Sequence, residues 1–388
     1  MVAPTLAISR RTRSTPYTSR VEAAGVQSYT VYNHMLLPTS FRGVEVDYWH
    51  LRNAVQVWDV GCERQVELRG RDAARLAQLL TVRDLRKLTV GRCAYAPVLD
   101  DDGHILNDPI VLRLAEDQFW FSVADTDVVL WAGGIARGMG LDVQVHEPDV
   151  WPLALQGPRA DDVAALIFGE AVRAIKFFGF ARLPFEGREL VVARSGWSAQ
   201  GGFEFYVDDA EVGGRLYDAL MTAGEPFDIG PGCPNLIERI EAGLLSVGND
   251  VTREDTALEA GLDRYCALTA PIEAIGLGAL RRQAASGVTR RLCGLTIDGD
   301  PVPALRAPWP VHADTGLVGS VTSATWSPRL TEMSPSPCLP LSTRPRASSW
   351  RSSRPTDLEQ LACRPFRFRE PPNADTTPNR ARRAEMMR

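Results

Sequence analysis

The sequence predicts an α+β fold built on antiparallel sheets, and three observations carry that expectation. Segments of strand and helix character alternate through the first 275 residues, but without the regular rhythm that produces a parallel sheet. No strand leads into a G-x-G-x-x-G: Gly133-Gly134 and Gly138-Met139-Gly140 have the wrong spacing, which excludes a dinucleotide-binding fold. Residues 276–330 then become rich in strand character. No repeat of solenoid period interrupts this plan.

The elements follow in chain order. Residues 1–25 read as an N-terminal arm. Arg10, Arg11, Arg13 and Arg20 are scattered there without the apolar stretch of a secretory signal. A mitochondrial transit peptide is the alternative, and Pro4, Pro16 and the lack of an amphipathic stripe speak against it. Residues 29–32 are extended, and an apolar patch spans 49–58. Residues 72–80 read as a helix, with Leu76, Leu79 and Leu80 on one face. Strands are expected at 94–99 and 109–114, flanking an acidic turn at 100–103, and at 118–124; a helix follows over 125–137. Next come a strand at 152–156 and a helix at 161–168 closed by Gly169. Strands at 177–180, 189–192 and 203–207 and helices at 211–223 and 235–245 complete this region. Strands at 292–297, 309–312 and 318–322 account for the β-rich segment. From Thr331 onward Arg, Pro and Ser dominate and no period of 2 or 3.6 persists, so residues 331–388 read as a disordered tail. A reading-frame shift near Leu330 would create such a tail.

Composition narrows the function. The chain has 388 residues, 45% hydrophobic and 23% charged, as in ordinary globular proteins. Its net charge of −5 argues against nucleic-acid binding, and no apolar run reaches the ~20 residues of a membrane span. Seven irregularly spaced cysteines without C-x-x-C suggest reduced thiols in a cytoplasmic protein. His34, His50, His104, His146 and His312 form no ligand motif, so no metal is expected. There is no G-x-S-x-G, and Gly230-Pro231-Gly232 is turn chemistry.

Two carboxylates stand out. Asp108 lies between Asn107 and Pro109, where a plain turn is the simplest reading. Glu204 lies between Phe203 and Phe205; alternation puts Glu204 and Tyr206 on the face opposite the phenylalanines. A solvated strand face is the default there, but Gly201-Gly202 just before it lets backbone approach a ligand and tilts the reading toward a pocket. Trp197 is either packing or a platform for a cationic ligand. Asp100, Asp101 and Asp102 lack the rest of a calcium loop and read as a solvated turn.

Several stretches resemble the folate-binding aminomethyltransferase (glycine-cleavage T-protein) superfamily over residues 7–330. Gly201-Gly-Phe-Glu204 and Arg239-Ile-Glu-Ala-Gly243 are features of the whole superfamily. Asn33-His-Met-Leu-Leu-Pro38 and Asn107-Asp-Pro109 resemble its dimethylsulfoniopropionate-demethylating branch. The resemblance implies a three-domain cloverleaf. Two interleaved α+β domains fill residues 26–275, switching near 60 and 150, and a C-terminal β-barrel occupies 276–330, incomplete where the tail begins. It implies Asp108 at the catalytic centre, with Glu204, Tyr206, Tyr95 and Arg239 holding folate. Trp197, Tyr32 and Ser122 would hold the methyl donor. The implied reaction moves a methyl group from dimethylsulfoniopropionate to tetrahydrofolate, giving 3-(methylthio)propionate and 5-methyltetrahydrofolate, with no metal and with neither nucleic acid nor membrane as a partner. Whether the protein forms a homodimer stays open. The alternatives are a folate-dependent O- or N-demethylase, a glycine-cleavage aminomethyltransferase, and a non-catalytic folate-binding protein.

Overall fold

The computed structural model describes residues 8–297, 301, 305, 307–313, 316–340, 350–353 and 358–362. Two sheets facing each other position everything that follows. The first has six strands in the order Phe180–Phe185, Arg188–Ala193, Gly202–Val207, Trp151–Gln156, Val55–Asp59, Ile229–Gly232. All its neighbours are antiparallel except the last pair. The second has five: Gln144–His146, Gln65–Arg69, Gln118–Ser122, Ile110–Ala115 and Cys93–Tyr95. The chain leaves the first sheet after Asp59, builds the second, and returns at Trp151.

Each sheet buries one face against its own helices. On the first, Phe203, Phe205, Leu153 and Leu155 share a core with Val163 and Phe168 of the Ala160–Phe168 helix and with Leu216 and Leu220 of the Ala210–Gly224 helix. On the second, Val111, Phe119 and Phe121 pack on the Ala73–Leu80 and Val128–Gly138 helices. The period of 2 then sends alternate side chains to the other face. Those faces meet in a separate cluster containing Cys93, Leu112 and Trp120 from one sheet and Val191, Ala193 and Tyr206 from the other. Trp120 and Tyr206 span the gap, with ring centroids 5.9 Å apart.

The arm is tied to this frame. Thr15 Oγ1 donates to buried Asp59 at 2.6 Å, and the Tyr17 hydroxyl donates to the Trp151 carbonyl at 2.9 Å. At the C-terminal end, seven strands run in the order Arg290–Leu292, Glu332–Pro340, Thr296–Ile297, Leu358–Ala362, Trp350–Ser353, Trp309–Ala313, Gly316–Ser327. Glu332–Pro340 also pairs with Gly316–Ser327, so the sheet curls back toward itself. A continuous barrel wall is not formed among the described residues, because Thr296–Ile297 joins Glu332–Pro340 through one residue pair only. Three pieces of the Arg/Pro/Ser-rich stretch are thus strands, and its remainder lies outside the described residues.

The α+β class and its antiparallel sheets agree with the sequence reading. Several elements differ locally. The expected strand at 94–99 is two, Cys93–Tyr95 and Val98–Leu99, because Pro97 interrupts pairing and each half takes a different partner. Residues 177–180 form a turn with Phe178 at φ 53°, and the strand starts only at Phe180. The 235–245 helix is Leu236–Ala242, stopped by Gly243 in the left-handed region at φ 68°. The β-rich reading of 276–330 overlooked the Leu277–Ser286 helix, whose Leu277 and Leu280 are buried; the Gly276 and Gly287 that bracket it are its sequence signal.

Gly202 is the tightest point of the first sheet. Its φ is +143°, and an added Cβ would lie 2.0 Å from the Leu155 carbonyl oxygen. Gly202→Ala should therefore lower unfolding free energy by roughly 3 kcal/mol or more. A urea midpoint equal to wild type would show that the strand relaxes without strain.

Candidate functional site

Glu204 occupies the middle of the Gly202–Val207 strand. Because Phe203 and Phe205 fill the helix-facing core, Glu204 points to the inter-sheet face and is only 7% exposed. The Ser195 hydroxyl donates to its Oε2, and the Tyr206 hydroxyl approaches the same oxygen at 3.4 Å. Tyr206 also lies near Ser122, whose hydroxyl accepts from Gln65 Nε2 at 3.1 Å. Glu204, Tyr206 and Ser122 thus come near one another where the two sheets meet.

Asp108 is set by its neighbours. Asn107 is fully buried; its Nδ2 donates to the Ala124 carbonyl and Thr126 Oγ1, and its Oδ1 accepts from the Ala124 amide. The Pro109 carbonyl accepts from the Ala96 amide. Asp108, fixed on both sides, is partly buried and accepts 2.9 Å from the Tyr95 hydroxyl. Tyr95 in turn packs on Tyr265, with centroids 4.7 Å apart. The simple turn reading of Asn-Asp-Pro is therefore too weak: the flanking residues are anchors and the carboxylate between them is presented.

A third carboxylate belongs to the cluster and was not singled out from sequence. Glu63 sits where the chain crosses from one sheet to the other. It interacts electrostatically with both Glu204 and Asp108. Next to Arg64 it looks like half of a solvated pair. Arg64 instead turns to Asp127 at 3.0 Å and Glu147 at 3.2 Å. The signal that could have found Glu63 is its place between two apolar strands, where a solvated residue is out of keeping.

Burial governs the protonation of this group. Desolvation pushes Asp108 up to about 7, with Asp250 adding to the shift and the Tyr95 hydrogen bond opposing it. Desolvation also raises Glu204 against the opposing hydrogen bonds from Ser195 and Tyr206. Glu63 is raised by desolvation first, then by Glu204 and Asp108. Among the described residues none of the three forms an ion pair.

The other candidates fall in two groups. Tyr32 ends the Ser28–Tyr32 strand and lies within electrostatic range of Glu63 and Asp108. Trp197 is partly buried on the loop that also carries Ser195. Two buried amide side chains fix that loop. Gln156 accepts from the Ser198 hydroxyl at 2.6 Å, and Gln200 donates to Glu238 at 2.6 Å. Arg239 is engaged elsewhere. It donates to Asp250 at 2.5 Å and to Ser323 at 2.7 Å, tying the Leu236–Ala242 helix to the Gly316–Ser327 strand. It therefore borders the carboxylate cluster through Asp250. No group of three His, Cys, Asp or Glu suited to a metal occurs among the described residues. No described helix is long and apolar enough to cross a membrane.

Residues 17–270 match the GCVT N-terminal domain. The chain belongs to the glycine-cleavage T-protein family. It is 52% identical over 320 residues to dimethylsulfoniopropionate demethylase DmdA of Ruegeria pomeroyi, covering 82% of this chain and 87% of that protein. It is 30% identical over 302 residues to an aminomethyltransferase of Clostridium botulinum, covering 76% and 80%. The crystal structure of glycine cleavage system aminomethyltransferase T from Bartonella henselae superimposes with a TM-score of 0.79 at 23% identity, over 90% of this chain and 96% of that one, and so shares the fold. Enzymes of this T-protein family use folate, and the family assignment agrees with the resemblance read from the motifs.

The raised carboxyl of Asp108 has a consequence for stability. Its folded pKa of about 7 exceeds the ordinary 3.8, so the folded state binds the proton more tightly. The stability it contributes is complete below the ordinary value and disappears as pH rises toward 7. Asp108→Asn stays neutral throughout. Its stability relative to wild type should thus rise by roughly 2 kcal/mol between pH ~5 and ~8. Parallel urea-derived stability curves for the two proteins would contradict the raised carboxyl.

Proposed function

We propose that this protein is a tetrahydrofolate-dependent methyltransferase that takes a methyl group from dimethylsulfoniopropionate in the cytoplasm. The observation that carries the reading is the 52% identity to a dimethylsulfoniopropionate demethylase over 320 residues. The residues present suit both substrates. A pterin offers several N–H donors along one edge, and buried Glu204 offers acceptor oxygens with few partners of its own. Folate supplies the nucleophilic nitrogen that receives the methyl group.

The chemistry asks little beyond placement. A sulfonium methyl is already activated, because the C–S electron pair leaves on a neutral thioether. The methyl carbon forms a bond to folate N5, and the N5 proton is lost. The chain must therefore hold carbon and nitrogen in line and in contact. Glu204, with Tyr206 beside it, anchors the pterin edge. Asp108, with a pKa of about 7 and steadied by Tyr95, is suited to accept the N5 proton, directly or through water. Tyr32 and Trp197 offer ring faces to the cation, and Ser122 lines the donor side. Arg239 acts through its pair with Asp250 as a border of the folate side. A neutral methyl ether or amine gains less from this arrangement, since its donor carries no positive charge to meet the acidic cluster. The aminomethyltransferase reading has 30% identity behind it.

Purified protein given tetrahydrofolate and dimethylsulfoniopropionate should form 5-methyltetrahydrofolate, followed by chromatography; folded, folate-binding protein that forms none would refute the reading. Asp108→Asn should lower kcat by roughly a hundredfold while leaving folate affinity near wild type. Unchanged kcat would remove Asp108 from the reaction. Glu204→Ala should weaken folate binding by roughly tenfold or more in calorimetry, because it strips an acceptor from buried donors. Equal affinity would defeat that assignment.

A further inference from the structure

The donor side of the site contains an acidic residue to which nothing above assigns a role. Glu63 lies in the short connection between the Val55–Asp59 and Gln65–Arg69 strands. This connection is held rigidly. Asn33 Nδ2 donates to the Cys62 carbonyl at 3.0 Å, Gln65 Nε2 donates to the Glu63 carbonyl at 2.8 Å, and the Glu63 amide donates to the Val60 carbonyl at 2.9 Å. The same Gln65 amide reaches Ser122, so the Glu63 backbone and Ser122 share one support. Asn33 directly follows Tyr32, so the Glu63 connection and the end of the Tyr32 strand are pinned together.

The side chain is left without a counter-charge. Its sequence neighbour Arg64 is committed to Asp127 and Glu147. The Glu63 carboxylate has no hydrogen-bond or ion-pair partner among the described residues. It interacts electrostatically with the Tyr32 and Tyr206 hydroxyls, and with Glu204 and Asp108, which repel it. A partly buried carboxylate facing other carboxylates is an unfavourable arrangement by itself. A cation bound among these residues relieves both the repulsion and the missing pairing.

We propose that Glu63 is the counter-ion of the methyl donor, and that it makes the site prefer a sulfonium over a neutral molecule of the same shape. The inference rests on the methyl-transfer reading and adds the residue that selects for charge. Cation–π attraction from Tyr32 and Trp197 would favour the same ligand, but a neutral branched group also packs on a ring. A carboxylate discriminates by charge alone.

The test compares two ligands that differ only at the branched centre. Dimethylsulfoniopropionate carries sulfur and a positive charge there, whereas 4-methylpentanoate carries carbon and none. Their affinities are measured by calorimetry for wild type, Glu63→Gln and Glu63→Asp, with folate affinity as a parallel readout. Wild type should prefer the sulfonium. Glu63→Gln should lose roughly tenfold or more of that preference, with 4-methylpentanoate and folate affinities unchanged. Glu63→Asp, which keeps the charge, should retain most of it. A Glu63→Gln protein with the wild-type preference, or one weakened equally toward both ligands and folate, overturns the assignment. Methyl transfer by wild type is assayed alongside: its absence counts against the methyl-transfer reading, whereas its presence with an unchanged preference counts against Glu63 alone.

Discussion

Burying a carboxylate between two sheets without an internal cation is the constraint on which the site depends. Proteins ordinarily pair such groups or neutralise them. Here Asp108 accepts from the Tyr95 hydroxyl and Glu204 from those of Ser195 and Tyr206, and the Glu63 carboxylate has no hydrogen-bond partner among the described residues. Desolvation then favours their neutral forms. The arrangement leaves acceptor capacity and negative charge to be satisfied from outside the chain. A pterin edge rich in donors and a positively charged methyl donor are complementary to it.

The fold maintains that tension. Each sheet turns one apolar face to its own helices, and the face it turns to the other sheet mixes apolar residues such as Leu112, Trp120 and Val191 with polar ones such as Glu204 and Tyr206. The crossing of the chain from sheet to sheet after Asp59 delivers Glu63 to the seam. Rigid anchors back the presented groups: Asn107 behind Asp108, Gln65 behind Ser122, and Gln156 and Gln200 behind the Trp197 loop. Buried amides do this work well because one side chain can satisfy several backbone and hydroxyl groups at once. Farther out, the Arg239–Asp250–Ser323 network fastens the C-terminal sheet to the same region.

Much of this was legible in the sequence, and the reasons differ by residue. Glu204 could be placed because a strand flanked by two phenylalanines has only one face left for a carboxylate. Asp108 was visible by its motif and not by its physics, since Asn-Asp-Pro alone favours a turn; its anchoring by Ala124 and Thr126 is a long-range fact. Glu63 was hidden because an adjacent arginine suggests local pairing, and only the tertiary structure shows Arg64 turned to Asp127 and Glu147. Arg239 was visible as part of a motif, yet its buried pairing with Asp250 depends on a fold-back of the chain that no local pattern encodes. The Leu277–Ser286 helix was missed because strand character on either side of it outweighed a short apolar period.

The proposed ligands would supply the charge that the chain withholds from its buried carboxyls. Proton exchange on binding reports this most directly. Calorimetric titration of dimethylsulfoniopropionate into the protein near pH 6, in two buffers of different ionisation enthalpy, measures it. A cation favours the ionised form of neighbouring carboxyls, so net proton release is expected on binding. Binding with no proton exchange would show that the cation does not change the ionisation of these groups, contrary to the role proposed for them.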